Sequence, residues 1–156
     1  MKRIAIAASL LLALSCGLPR DPDNTLEHVR GRVLHAGVSI APPFIVRRGD
    51  EAAGIEADLL RRFATSLGAK IVWQWDAQEK QLAELHENEL DIVAGGLTGD
   101  SPWKSKVALT RPYADTRDGK RHVFAVPPGE NAFLLQLETF LAAHHQQAED
   151  AARSQE

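Results

Sequence analysis

The chain has 156 residues, 44% of them hydrophobic and 25% charged, with 18 basic and 21 acidic side chains and a net charge of −3. That balance fits one soluble globular core rather than a disordered or membrane-embedded chain, and its acidic excess gives no footing for nucleic acid or an anionic membrane surface as a partner. A single cysteine, Cys16, excludes an internal disulfide.

Lys2 and Arg3 precede an apolar run over 4–14, which is too short to span a bilayer as a helix but suits the core of a secretory signal. The run ends in Ala13-Leu14-Ser15-Cys16-Gly17. This is similar to the lipobox of bacterial lipoproteins, where the cysteine is acylated and becomes the mature N-terminus. The expectation is a signal peptide over 1–15 and lipidation at Cys16, two acyl chains giving a stable membrane anchor; cleavage at a nearby small residue, leaving a free thiol, is the alternative. Loss of Lys2 and Arg3 leaves 16 basic against 21 acidic residues, a net charge of −5. Residues 16–30, polar and carrying Pro19 and Pro22, read as a tether between anchor and fold.

From Arg32 onward the pattern alternates. Residues 33–38 form a β-prone run closed by Gly37 and by Ala41-Pro42-Pro43, whose prolines cannot continue a central strand. Over 55–67, apolar residues at 55, 59, 60, 63, 64 and 67 have helical spacing, and Gly68 supplies the stop. Residues 70–75 (KIVWQW) are a second strand, 78–87 a second helix with Leu82 and Leu85 inward, and 91–94 a third strand ending at Gly95-Gly96. Strand, helix, strand, helix, strand calls for a parallel sheet with helices on both faces. Asp118-Gly119 is a hairpin signal, because a primed turn needs positive φ. It predicts pairing of 113–117 with 121–126, followed by a closing helix with Phe133, Leu137, Phe140 and Leu141 on one face and a polar, fraying tail over 146–156.

Four stretches in order, GVSIAPPF, GIEADLLRRFATSLG, LDIVAGGLT and RPY, with GKRHVFAVPPGENAFLLQLETFL after them, resemble the first lobe of the family 3 periplasmic solute-binding proteins. These are two-lobed clamshells that capture amino acids and related solutes for ABC importers. The second lobe would fall between Tyr113 and Gly119, where only residues 114–118 stand. The resemblance therefore implies an α/β three-layer sandwich over 31–145, a single lobe with a mostly parallel sheet of order 2-1-3 plus a hairpin-derived C-terminal strand. Right-handed crossovers and that order open a crevice between strands one and three at their C-terminal ends, bounded by 39–44 and 95–103.

The ligand-binding positions that the resemblance implies are Ser39, Phe44, Gly96, Thr98, Asp100 and Trp103. The family's amino-acid binders place an arginine, which grips the ligand carboxylate, where this chain has Trp103. They often place an aspartate at Ser39 and a stacking aromatic at Gln78, and Asp100 replaces a second hydroxyl. An α-amino acid held in the usual way is therefore not expected. Trp103 with Phe44 and Asp100 suits a cationic or ring-bearing solute; alternatively Trp103 packs under the Pro102 turn while Asp100 caps the short helix beginning there.

Other chemistry is sparse. His144 and His145 are adjacent and cannot share a metal as an i, i+4 pair can; they read, like Glu84, Glu87 and Glu89, as solvated surface. No serine stands in a nucleophile elbow and the cysteine is assigned to the anchor, so no catalytic residue, metal site or cofactor is expected. Some lytic transglycosylases carry a family 3 lobe pair beside a catalytic domain, for which 156 residues leave no room. The reading is a periplasmic or envelope-bound module that weakly binds a small polar or cationic solute. A transporter subunit or a second copy is its expected partner. The alternative is an accessory lipoprotein that binds no solute and docks on a partner through the exposed lobe edge.

Overall fold

The computed structural model describes residues 21–116 and 119–154. The expected signal peptide, Cys16 and Asp118 lie outside the described residues. In chain order the elements are α1 (Thr25–Val29), β1 (Val33–Val38), β2 (Val46–Arg48), β3 (Glu51–Ala53), α2 (Ile55–Ser66), β4 (Lys70–Trp75), α3 (Gln78–His86), β5 (Ile92–Ala94), a 3-10 turn (Pro102–Ser105), β6 (Ala108–Leu109), β7 (Ala114–Asp115), β8 (Arg121–His122), β9 (Ala125–Val126) and α4 (Asn131–Ser154).

The main sheet runs β4-β1-β5-β9-β6. β4 and β5 both pair parallel to β1, in the registers Val38↔Trp75 and Val38↔Ala94, so the expected 2-1-3 order is present. β9 and β6 add antiparallel, through Val93↔Ala125 and Leu109↔Ala125. Two-residue periodicity divides the core between the faces of this sheet. Leu34, Ala36, Val38, Ile92, Ala94, Phe124 and Val126 join α2 and α4 in one cluster. Val93, Val123 and Ala125 join Leu82 and Leu85 of α3 in the other. The fully buried Phe63, Phe133, Leu60 and Leu137 on the first face each contribute roughly 1.5–3 kcal/mol of burial.

The hairpin that stands where a second lobe would depart is built differently from the expected two-residue turn. Ala114 pairs with His122 and Asp115 with Arg121, while Thr116 N–H donates to the Lys120 carbonyl (3.0 Å) and Gly119 N–H to the Thr116 carbonyl (2.9 Å). Gly119 at φ 79° thus ends a three-residue connection, a position that demands the left-handed region. Beyond it the return arm leaves β7 and continues as β9 in the main sheet.

Two end segments depart from expectation. Residues 21–30 are part of the fold rather than a tether. Asp21 Oδ1 accepts from Ala132 N–H (2.7 Å) and Phe133 N–H (3.0 Å) at the start of α4, and Glu130 accepts from Asp23 N–H (2.9 Å) and Thr25 N–H (3.0 Å) at the start of α1. Each helix start is capped by a carboxylate from the other end of the chain. The expected polar tail is helical to Ser154, with Ala148 and Ala152 buried in the first cluster. The β2–β3 hairpin, turning at Gly49 (φ 65°), was not expected either.

Candidate functional site

β1 and β5 end side by side, and the loops leaving them meet. Ser39 N–H donates to the Ala94 carbonyl (3.3 Å). Gly95 (φ 149°) lies so close that a Cβ there would sit 2.2 Å from Ser39 Oγ. Gly96 (φ 68°) brings its backbone against Ala41 and Phe44, whose atoms would lie 3.3 and 3.5 Å from an added Cβ. Conformation and space both call for glycine at Gly95, and conformation favours it at Gly96. Ser39, Phe44 and Gly96 are thus brought together at the strand ends.

Thr98 follows on the same loop, paired across an isolated bridge with His122. Gly99 N–H donates to the Arg121 carbonyl (3.0 Å) and Val123 N–H to the Leu97 carbonyl (3.0 Å), so the return arm of the hairpin forms a ladder with this loop. His122 also stacks on Phe44, with ring centroids 4.0 Å apart and 29° between planes. One face of the Phe44 ring is therefore covered by the chain's own hairpin.

Asp100 is exposed and accepts from the Thr98 hydroxyl, a bond that holds its carboxyl below the usual range. It does not cap the 3-10 turn. Ser101 does, its Oγ accepting from Trp103 N–H (3.3 Å). Trp103 packs on the second cluster while Phe44 packs on the first, across the sheet, and Lys106 Nζ lies over its ring at 4.9 Å from the centroid. Phe44, Asp100 and Trp103 are not assembled on one face. Gln78, standing where a stacking aromatic is common, instead donates from Nε2 to the Gly95 carbonyl (3.0 Å).

The residue at the centre of this arrangement is one that sequence reading passed over. Glu56, in the first turn of α2, is 0% exposed. Its Oε2 accepts from Gly95 N–H (2.8 Å), its Oε1 accepts from the Tyr113 hydroxyl (2.7 Å), and Gly96 N–H is shared between Oε2 (3.1 Å) and Oε1 (3.2 Å). Burial pushes its carboxyl up to about 7 against the opposing pull of those three donors. Burial, and after it the neighbouring Glu56 carboxylate, hold the Tyr113 hydroxyl well above its ordinary value. A signal was available: Glu56 shares the helical phase of Leu59, Leu60 and Phe63, so a carboxylate stood at a core position. His145, read as solvated, bonds the Tyr113 carbonyl through Nδ1 (2.7 Å), and His144 stacks on Phe140 at 4.2 Å.

A cleft of about 670 Å³ opens beside Thr98 and Asp100 and is also lined by Lys104, Arg111, Arg121 and Glu138. Arg111 is committed there to Glu138, with its Nε and Nη2 donating to Oε2 at 3.0 and 2.9 Å. A second cleft of about 570 Å³ lies between β3, α2 and the end of α4, away from the strand ends. Among the described residues no group of three histidine, cysteine or carboxylate side chains could hold a metal, and no helix is long and apolar enough to cross a membrane.

Residues 34–154 match the model of the bacterial extracellular solute-binding proteins, family 3. Over 116 residues the chain is 32% identical to membrane-bound lytic murein transglycosylase F of Idiomarina loihiensis, a match covering 70% of this chain and 25% of that protein. Over 112 residues it is 30% identical to virulence sensor protein BvgS of Bordetella pertussis, covering 66% and 9%. The chain thus spans about a quarter or less of the length of these curated relatives. Among solved structures, the arginine-bound form of domain 1 from TmArgBP superposes with a TM-score of 0.65 at 24% identity, covering 71% of this chain and 92% of that one. A mutant of the same arginine-bound domain gives 0.70 at 23% identity, covering 78% and 98%. At such identities the likeness establishes the fold, a single lobe of the periplasmic binding type.

Proposed function

The chain belongs to family 3 of the bacterial extracellular solute-binding proteins, and from that premise we propose that it is a single-lobed binding module of the cell envelope whose ligand edge departs from that of α-amino-acid binders. The observation that carries this reading is the meeting of the loops after β1 and β5, which brings Ser39, Phe44 and Gly96 together with Thr98 on the same rim. In open α/β sheets, ligands sit at such a switch point outside the carboxyl ends of the strands.

The ligand class is a small polar or cationic solute. Asp100 offers negative charge at the rim, and the arginine-bound TmArgBP domain of the same fold supports cationic amino acids as the first probes. Trp103 and Gln78 are both engaged elsewhere, Trp103 under Lys106 and Gln78 on the Gly95 carbonyl. The recognition geometry then differs from a carboxylate grip. Anchoring through Cys16, residence in the periplasm and association with an ABC transporter complete the proposal.

Thermal-shift and calorimetric titration with arginine, other amino acids and polyamines tests it. A saturable shift that is lost on Thr98→Val with Asp100→Ala supports the edge as the site; no response to any of these probes sinks the solute-binding reading. The docking alternative is favoured by Ile40, which is 63% exposed beside the same edge. It would be supported by complex formation with a transporter subunit in the absence of solute.

A further inference from the structure

Glu56 is a fully buried carboxylate whose contacts join three segments distant in the chain. It reaches from α2 to the Gly95–Gly96 loop, 39 and 40 residues away, and to Tyr113 at the root of the hairpin, 57 residues away. Gly95 and Gly96 are in turn the backbone against which Ser39 and Phe44 rest. Removing the carboxylate would leave the buried Gly95 amide and the half-buried Gly96 amide without their acceptor.

We propose that Glu56 is the positioning residue of the ligand edge: its carboxylate holds the Gly95 and Gly96 amides in place against Tyr113, and uptake of a proton there loosens that hold. The inference rests on reading this edge as the ligand site, but its test needs no ligand. Hydrogen bonds to an ionised acceptor are roughly twice as strong as neutral ones. A proton taken up on Oε1 is donated to the Tyr113 oxygen, whose own hydrogen turns away. Oε2 then holds both amides as a neutral carbonyl oxygen, and the protonated Oε1 becomes a poorer acceptor for the Gly96 N–H that also approaches it at 3.2 Å. Burial places this change within the range where the edge would work, because it pushes the carboxyl up to about 7.

Few other titratable groups surround the pair. From the hairpin come Tyr113 itself and His122, whose ring lies 6.3 Å from that of Tyr113. From α4 comes His145, on the Tyr113 carbonyl. The β1 loop, 39–44, and residues 95–98 contain none. The two histidines are therefore the groups that a test has to separate from Glu56.

Tyr113 is the single tyrosine of the chain, so its ring carbon bearing the hydroxyl can be followed by NMR without overlap. In a pH titration of the ligand-free protein, that carbon and the Gly95 and Gly96 amides should move together through one inflection near pH 7. Glu56→Gln should flatten all three while the histidine signals titrate as before. Tyr113→Phe removes a donor that favours the charged form, so the amide inflection should move to higher pH; this second variant decides the matter if Glu56→Gln does not fold. Amides that stay still between about pH 5.5 and 8.5 in the wild type, or that titrate unchanged in Glu56→Gln, would overturn the proposal and assign the change to His122 or His145. So would an inflection left in place by Tyr113→Phe. Failure of every solute to bind would sink the ligand-site reading and leave these outcomes unchanged.

Discussion

Tyr113 donates its hydroxyl to the buried carboxylate of Glu56 across 2.7 Å, linking the root of the hairpin to the first turn of α2. The tyrosine ring is held on its other side by Phe124, at 4.8 Å between centroids. Tyr113→Phe keeps that packing and deletes one donor from a carboxylate that water does not reach. The expected loss is about 1–3 kcal/mol, the penalty for leaving a buried polar group underbonded. Urea denaturation at constant slope would read it; a variant as stable as the wild type would mean that water replaces the hydroxyl.

The stability of the fold should fall as pH rises through the neutral range. The Glu56 carboxyl has an ordinary value of 4.5 when exposed in the unfolded chain, and burial in the fold pushes it up to about 7. Between those values the unfolded chain has released a proton that the folded chain still holds, so its stabilising effect is complete below 4.5, declines as pH rises and is exhausted above 7. The separation corresponds to roughly 3 kcal/mol. Glu56→Gln cannot titrate, so the difference between wild type and variant isolates this contribution from the histidines and from Asp91. Parallel stability profiles for the two proteins from pH 5 to about pH 8 would contradict it.

Asp21 should matter more than its place in a polar N-terminal stretch suggests. Its Oδ1 caps α4 and its Oδ2 accepts from Leu26 N–H (3.1 Å) in α1. Asp21→Ala is expected to cost about 1–2 kcal/mol, the usual worth of a helix cap. Hydrogen exchange should quicken at Ala132 and Phe133 specifically. Unchanged stability would restore the tether reading for 21–30.

These cases mark what local pattern could and could not reveal. β1, α2, β4, α3 and β5 are readable because each carries its own periodicity and stop, Gly68 among them, and with the sheet order that the family resemblance implies they point to the loops after β1 and β5 as the candidate edge. Asp21 with the Ala132 and Phe133 amides, Glu130 with the Asp23 and Thr25 amides and Glu56 with Gly95 are pairings between remote segments; helical phase marks Glu56 as a core position but does not name its partners. The β2–β3 turn did carry a local signal in Gly49-Asp50, but its strands are only three residues long. Trp103 was open to two readings for the same reason: whether its ring faces a ligand or a core depends on Lys106 and α3.

Gly95 should not tolerate a side chain. Its φ of 149° is rarely adopted by other residues, and an added Cβ would meet Ser39 at Oγ (2.2 Å), the carbonyl oxygen (3.1 Å) and the backbone nitrogen (3.3 Å). Rotating the serine relieves the first contact and leaves the backbone ones. Gly95→Ala is therefore expected to destabilise by about 1–3 kcal/mol and to weaken any solute bound at the edge, with Ser39→Gly giving only partial rescue. Full rescue by Ser39→Gly would show that side-chain crowding, and not the backbone, sets the requirement.

The affinity of the edge follows from its being one-sided. A clamshell surrounds its ligand, whereas here the hairpin joins Asp115 to Arg121 directly and leaves one face of any solute in water. Contacts that would offset the loss of translational freedom are then missing. The His122 ring also occupies one face of Phe44, so a ring-bearing solute would have to displace it or bind elsewhere. Small solutes should bind the monomer at roughly 0.1 mM or weaker, about 5.5 kcal/mol. His122→Ala should tighten binding of ring-bearing solutes more than that of arginine, because it uncovers an aromatic face without touching Asp100. Calorimetry on a demonstrably monomeric sample decides the point: submicromolar binding there would mean that the single lobe encloses its ligand unaided, and the one-sided account of the edge would fall.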